Sequence, residues 1–499
     1  MKNLTTSLNE NIELIKTELP AEDILVYSFT SADKSLRFAI VYADGVVDKA
    51  LLGDLAARPL KRLTAPEKGK LALNDIKEAL LFPELKEQTE TEELKKEILD
   101  GNAVLLTDGL KEAVIVGAKL PPSRAVIEPP TDVAVKGPRE GFVEDIKINM
   151  ALLRKRLKTP QLLFEMQKVG KQSETNVAVC YLKGIADEEA KDAIVEKLKK
   201  IDTDVIVDSS YIATFLAPRK RSVFRQSGTT EKPDILAAKM AEGRIGILVD
   251  GSPIALTTPY LLTEDFQSSE DYFVSPFWAT ITRVMRVIAV LVAILLPAFY
   301  VSSQLFKLQL LPLSLTLTIA SSIQGLPLSP SLEMFLVLFV LEVLKEASVR
   351  MPKYVGMALS VVGALVLGET AVSAGFVSTP AIIIVAFSGI CLYTVPNFTE
   401  TGSILRWLFL IVAGSIGPFG IVLTAAFVLY YLISSDAFGV PMLAPFAPLV
   451  KEDLKDSLVK FNMERLDKRP TLFKPKNRTR LQSKDGKKTK KGETENGSK

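Results

Sequence analysis

Charge is spread so unevenly along this chain that one part must fold in water and another must avoid it. Residues 287–344 hold three charged side chains, Lys307, Glu333 and Glu342. Residues 356–395 hold Glu369 alone and residues 407–435 hold none, although 24% of the whole chain is charged. Runs this long and apolar can cross a hydrocarbon layer of ~30 Å, where an unpaired charge is costly. The segregation predicts an α/β N-terminal cytoplasmic region of two subdomains followed by an α-helical multi-span membrane domain. It excludes a purely soluble protein.

The first residues, MKNLTTSLNENIELIKTEL, lack the apolar core of a signal peptide, so the polar half is expected in the cytoplasm. Strand-like runs at Ile24–Phe29 and Leu36–Tyr42 are followed by amphipathic helical ones at Leu71–Leu81 and Glu92–Leu99. Within Asn102–Ala118, two β-rich runs meet at Asp108-Gly109, a dipeptide that accepts the positive φ of a tight hairpin. Proline pairs at 121–122 and 129–130 then close a first subdomain, residues 1–128.

The second subdomain, residues 129–275, reads as a helix over Phe142–Leu157, a strand at Val177–Leu182, a helix at Glu188–Lys200 and a short strand at Val205–Val207. A helix over Lys232–Gly243 and a hairpin turning at Asp250-Gly251 complete it. Gly243-Arg244-Ile245-Gly246 lacks the spacing of a phosphate-binding loop and reads as a helix end followed by a strand. The cluster Arg154-Lys155-Arg156 reads as a solvated helix face, with an anionic partner or lipid as the alternative. That cluster and the turn at Asp250 and Gly251 are expected near subunit or subdomain contacts.

The membrane region, residues 276–436, offers six segments: 287–306, 308–325, 332–346, 356–373, 376–395 and 407–435. The first carries Pro297 and is preceded by Trp278, Arg283 and Arg286, an interfacial anchor with a cytoplasmic charge signal. The last is broken in its middle by Gly414, Gly417, Pro418 and Gly420. Segment 308–325 is rich in Pro, Ser and Thr, and 332–346 is short and bears Glu333, Glu342, Lys345 and Glu346. These two are expected to form a re-entrant or interfacial hairpin. Residues 465–491 hold 12 Lys or Arg against two Asp, which keeps the C-terminal region, 437–499, inside. Both ends inside require an even number of crossings: four, or six if the hairpin arms cross. The tail from Lys474 is expected to be disordered and to meet anionic headgroups.

Segment 356–373 carries a candidate pathway. Gly356, Ser360, Gly363, Ala364 and Gly368 allow close helix approach, while Val362, Val366, Glu369 and Ser373 fall three or four residues apart on another line. Around an axis shared by several copies, the valines would form an apolar constriction and Glu369 a cation-attracting ring. The competing reading is a carboxylate that snorkels to the interface.

There is no histidine, which removes Ser-His and Cys-His nucleophile pairs, His-ligated metals and a histidine pH switch. Cys180 and Cys391 lie in segments of different character and cannot form a metal cluster alone. The chain is therefore expected not to be an enzyme and to need no cofactor, no metal and no nucleic acid.

Several blocks carry a family resemblance: residues 137–142 with 149–162, residues 201–212, and residues 231–272 around EGRIGILVDGSPIALTTPYLL. EASVRMPKYVG, SVVGALVLGETAVSAGFVS and FGVPMLAP extend it into the apolar half. The chain resembles the GerA family of bacterial spore-germination proteins, specifically the A subunits of nutrient germinant receptors. The resemblance implies residence in the spore inner membrane beside a transporter-like B subunit and a lipoprotein C subunit, in a homo-oligomeric ring that passes cations. It also leads one to expect an uncharged polar residue where this chain has Glu369. Two other roles fit the same residues: a non-conducting membrane scaffold, and a paralogue acting in dipicolinate release.

Overall fold

The computed structural model describes residues 3–64, 72–83, 85–119, 136–306, 312–350 and 366–480. The first unit contains helices α1 (Leu8–Glu18), α2 (Leu73–Ala79) and α3 (Thr91–Leu99) and strands β1 (Ile24–Thr30), β2 (Arg37–Ala43), β3 (Leu85–Gln88), β4 (Ala103–Thr107) and β5 (Ala113–Val116). The sheet is antiparallel throughout, in the order β1-β2-β4-β5-β3. Alternation along β2 serves both faces. Phe38 and Ile40 share a cluster with Val47, Leu52, Leu60, Ile76 and Leu80, and Ala39 and Val41 with Leu8 and Ile15 of α1 and Leu94 and Ile98 of α3.

A second unit follows the same plan. It holds α4 (Ile146–Arg156), β6 (Leu162–Val169), β7 (Thr175–Leu182), α5 (Glu188–Lys199), α6 (Ser209–Leu216), β8 (Gly228–Thr230), α7 (Pro233–Ala241), β9 (Ile245–Val249) and β10 (Ala255–Thr258). Its antiparallel order, β6-β7-β9-β10-β8, repeats that of the first sheet position for position. One face packs on α4 and α7 through Met150, Leu153, Leu236 and Met240, the other on α5 and α6 through Ile194, Leu198, Ile212 and Leu216. Asp-Gly turns close both predicted hairpins, with Gly109 at φ 86° and Gly251 at φ 85°. Val205–Val207, expected as a strand, is irregular: Ile206 enters the core while Val205 and Val207 face outward.

The helical region comprises α8 (Pro276–Phe306), α9 (Leu313–Ile323), α10 (Pro330–Arg350), α11 (Thr379–Tyr393), α12 (Thr399–Ile416) and α13 (Pro418–Ile433). Among the described residues, α8 alone is both long and apolar enough to cross a membrane by itself. α11 and the residues through α12 pass that test together, with a 113° bend between them.

The bounds of two predicted segments differ in the structure. Segment 332–346, expected as one arm of a re-entrant or interfacial hairpin, is part of a longer helix, Pro330–Arg350. Its buried Glu333 accepts a hydrogen bond from the Ser378 amide, and Glu342 accepts from Ser403 Oγ at 2.9 Å and pairs with Arg406. Arg406 offsets the partial burial of Glu342, whereas Glu333 Oε2 is buried with no hydrogen-bond partner among the described residues. Segment 407–435, read as one broken span, is shared by two helices that fold back on each other, bringing Leu405 and Phe409 into one cluster with Ile421, Val428 and Leu432. Gly417 makes the reversal at φ 74°, and a Cβ there would lie 2.8 Å from the Phe306 ring.

Candidate coupling site between the sheet units and the helices

The second unit is tied to the foot of α8 by a buried charge network. A short 3-10 turn, Ser269–Tyr272, is preceded by Ser268, whose hydroxyl accepts from the Glu270 amide while its own amide donates to Asp271 Oδ2 at 3.1 Å. This reciprocal cap fixes the buried Asp271 carboxylate beneath α8. Arg283 and Arg286, one helical turn apart, both reach it: Arg283 Nε at 2.9 Å, Arg286 Nη1 at 3.0 and 2.9 Å.

Arg283 Nη1 also donates to Asp456 Oδ1 at 3.1 Å and to the Asp456 and Ser457 carbonyls at 3.0 and 2.8 Å. The C-terminal segment is thereby pinned to the helix. Tyr272 Oη donates to Asp456 Oδ2 at 2.9 Å, and Gln267 Nε2 donates to the Asp456 carbonyl at 2.7 Å. Lys460 places its ammonium 3.2 Å from the centre of the Tyr272 ring, a cation–π contact. Burial pushes the Lys460 ammonium down to about 8, with the Arg283 charge adding to burial and Asp456 opposing it.

A second cluster lies just upstream. Glu264 pairs with Lys239 at 2.7 Å and Arg244 at 3.3 Å and accepts from the Leu261 amide at 2.9 Å. Burial alone would raise its acidity range, but the Arg244 and Lys239 charges win and hold the carboxyl low. Among the described residues, the neighbouring Asp265 has no ion pair of that kind. Burial pushes it from an ordinary value of 3.8 up to about 6, against the pull of the Tyr260 hydroxyl and the Arg225 charge. Folded Asp265 then binds its proton more tightly than unfolded Asp265, so its contribution to stability is full below 3.8 and is lost as pH rises to about 6. Asp265→Asn is expected to flatten that part of the stability profile, as thermal unfolding across the window would reveal. An unchanged slope would remove Asp265 as its source.

Residues 474–480, expected to be disordered, lie against the second unit: Lys476 pairs with Glu188 at 2.7 Å, and the Lys476 amide donates to the Ile185 carbonyl. Phe473, just before them, is buried under the Arg244 guanidinium at 4.4 Å. Nearby lies an open cavity of about 110 Å³ lined by Glu242, Asp453, Arg465, Arg469 and Arg480, among others. The rest of the tail lies outside the described residues.

The sequence-predicted residues are placed as follows. Arg154 is buried and bidentate to Asp23 of the first unit, with Nε–Oδ2 at 3.0 Å and Nη2–Oδ1 at 2.7 Å. Its Nη1 donates to the Thr159 and Leu162 carbonyls. The solvated-face reading therefore fails for Arg154, whose side chain turns inward to a carboxylate 131 positions away. Lys155 and Arg156 pair with Glu140 at 2.7 Å each. Asp250 Oδ1 accepts from the Ile146 amide and the Gly251 amide donates to the Glu144 carbonyl, contacts within the second unit.

Gly356, Ser360, Val362, Gly363 and Ala364 lie outside the described residues. Val366 opens a short π-helical stretch, Val366–Thr370, and Gly368, Glu369 and Ser373 are exposed in the single chain. A Cβ built on Gly368 would meet no heavy atom within 4 Å. Sequence reasoning took Arg283 and Arg286 for a charge signal and missed Asp271, Tyr272, Asp456 and Lys460. An acidic residue 12 positions before Arg283 was a usable clue, but nothing local announces Asp456, 173 positions away.

An α/β region of two like-ordered sheets, joined by buried charge to a helical region, defines a two-part protein. The chain belongs to the GerA family of Bacillus/Clostridium spore germination proteins, whose model matches residues 11–472. It is 32% identical over 486 residues to spore germination protein KA of Bacillus subtilis (strain 168), covering 97% of this chain and 89% of that protein. It is 34% identical over 476 residues to the uncharacterized membrane protein YfkQ of the same organism, covering 94% of this chain and 92% of YfkQ. The crystal structure of the N-terminal domain of the A subunit of the Bacillus megaterium spore germinant receptor GerK3 matches 52% of this chain and 98% of its own, at 28% identity and a TM-score of 0.41.

Proposed function

We propose that this chain is the A subunit of a nutrient germinant receptor, seated in the spore inner membrane with both ends in the cytoplasm, and that it couples germinant sensing to cation release. The observation that carries the reading is the clamp of Asp271, Arg283, Arg286 and Asp456. A buried network of this kind transmits displacement of the second unit to α8, because separating its members leaves desolvated charges. Family membership supports the receptor assignment, and the B and C subunits are the companions it implies. The large apolar side chains that the helices expose, among them Ile383, Ile390, Phe419, Val422 and Phe427, support a lipid or protein surround.

In this reading several copies form a ring, with Val362, Val366, Glu369 and Ser373 lining its axis. Light scattering of the detergent-solubilised chain, with detergent subtracted, is expected to give the mass of a closed ring. Val362→Ala is expected to make spores leak monovalent cations without nutrient. A strict monomer across mild detergents, together with a silent Val362→Ala, would move the assignment to a non-conducting scaffold.

A further inference from the structure

The second unit carries an outward apolar and basic surface that its own fold does not use. Helix α6 buries Ile212 and Leu216 in the core but turns Tyr211 and Phe215, one turn apart, to the outside, and Val207 before it and Val223 after it are also exposed. Between Phe215 and Val223 the chain reads Leu-Ala-Pro-Arg-Lys-Arg-Ser, placing Arg219, Lys220 and Arg221 in succession. Among the described residues none of these three is in an ion pair.

This segment is fastened to the ends of the apolar helices. Arg219 donates to the Ser434 carbonyl just past α13 and lies 5.0 Å over the Tyr431 ring. Thr401 Oγ1, in the first turn of α12, donates to the Val223 carbonyl at 2.9 Å. Phe224 is buried between Tyr431 at 5.8 Å and Phe398 at 6.4 Å. Exposed Ile404 on α12 and Tyr430 and Ile433 on α13 begin the outward apolar surface of the helices beside these anchors. Exposed Lys220 and Arg221 therefore stand at the level where the helices leave the sheet unit.

We propose that the surface from Tyr211 to Val223 is a lipid-contact site, with Lys220 and Arg221 engaging anionic headgroup phosphates and Phe215 and Val223 entering the interface beneath them. The partner class follows from two features: charge complementarity to phosphate, and continuity with the apolar surface of α12 and α13. Aromatic and aliphatic side chains beside free cations are the composition that suits the headgroup boundary. The proposal rests on the membrane reading of the helices, and its test separates the two.

The test uses the full chain in lipid nanodiscs of phosphatidylcholine, with or without phosphatidylglycerol. Both native cysteines are buried, so Val223→Cys provides one accessible labelling position. A fluorophore there is expected to be quenched by headgroup-nitroxide lipid, more strongly with phosphatidylglycerol present, and the excess should vanish in high salt or in K220E/R221E. A second label at Ile433→Cys, quenched by acyl-chain nitroxide, reports the membrane reading independently. Quenching at 433 without quenching at 223 overturns the lipid-contact site alone. Equal quenching at 223 in both discs overturns the anionic recognition. No quenching at either position overturns the membrane reading and the site together. Shielding of the 223 label that tracks copies per disc rather than lipid charge would assign the surface to a second copy and overturn the proposal.

Discussion

Asp271→Asn is expected to destabilise the detergent-solubilised chain by about 3–5 kcal/mol, the usual cost of removing one partner from a buried charge pair. The cost lies in what is left behind. Arg283 is fully buried and Arg286 largely so, and both direct their guanidinium groups at the one carboxylate that the substitution neutralises. Asparagine keeps the volume and the short turn but cannot balance two cations. The Asp456 carboxylate remains on Arg283 and limits the loss. Asp202→Asn breaks an exposed pair with Lys171 and is the fitting control, expected to stay within about 0.5 kcal/mol. Thermal unfolding of the two variants side by side decides the matter. A loss at Asp271 no larger than the control would mean that the network does not bind the sheet unit to α8.

Asp23→Ala is expected to cost a comparable amount, about 3–5 kcal/mol, for the same reason at a different joint. Arg154 and Asp23 are both almost wholly inaccessible, and the pair spans the two sheet units. Removing the carboxylate strands a desolvated guanidinium. The double replacement Asp23→Leu with Arg154→Met removes both charges and is expected to recover much of the loss, because apolar residues of similar volume replace buried pairs well. Recovery should stop short of complete, since methionine cannot donate to the Thr159 and Leu162 carbonyls that Arg154 satisfies. Additive losses in the double variant would contradict this account.

What could be read from the sequence was local. Asp108-Gly109 and Asp250-Gly251 announced hairpins because few dipeptides accept their backbone angles, and the flanking strands followed from alternation. The two-unit plan was suggested by the proline pairs. Its identical strand orders were not, since β3 and β8 join their sheets from outside the hairpins and carry weak patterns. Family resemblance was legible in whole blocks, and the match over residues 11–472 agrees with it.

The coupling site was legible only in half. Arg283 and Arg286 stood out as charges before an apolar run, but their function depends on Asp271 and Asp456. The second of these is brought to them by the return of the chain after α13. The extent of α10 was misjudged for a related reason. Glu342 looks prohibitive until Arg406 is seen beside it. Long-range pairing of charge leaves no periodic trace in a sequence.

The length of α8 has a mechanical consequence. A helix of 31 residues rising 1.5 Å per residue is a rod of roughly 45 Å, and its first turns are held by the sheet unit at Asp271. A tilt of about 5° at that foot sweeps the far end through roughly 4 Å, by the same geometry. Under the coupling proposed above, the sheet unit would hold the short arm of a lever, and a rearrangement too small to disturb a strand register at one end would become, at the other, a displacement comparable to the diameter of a methyl group.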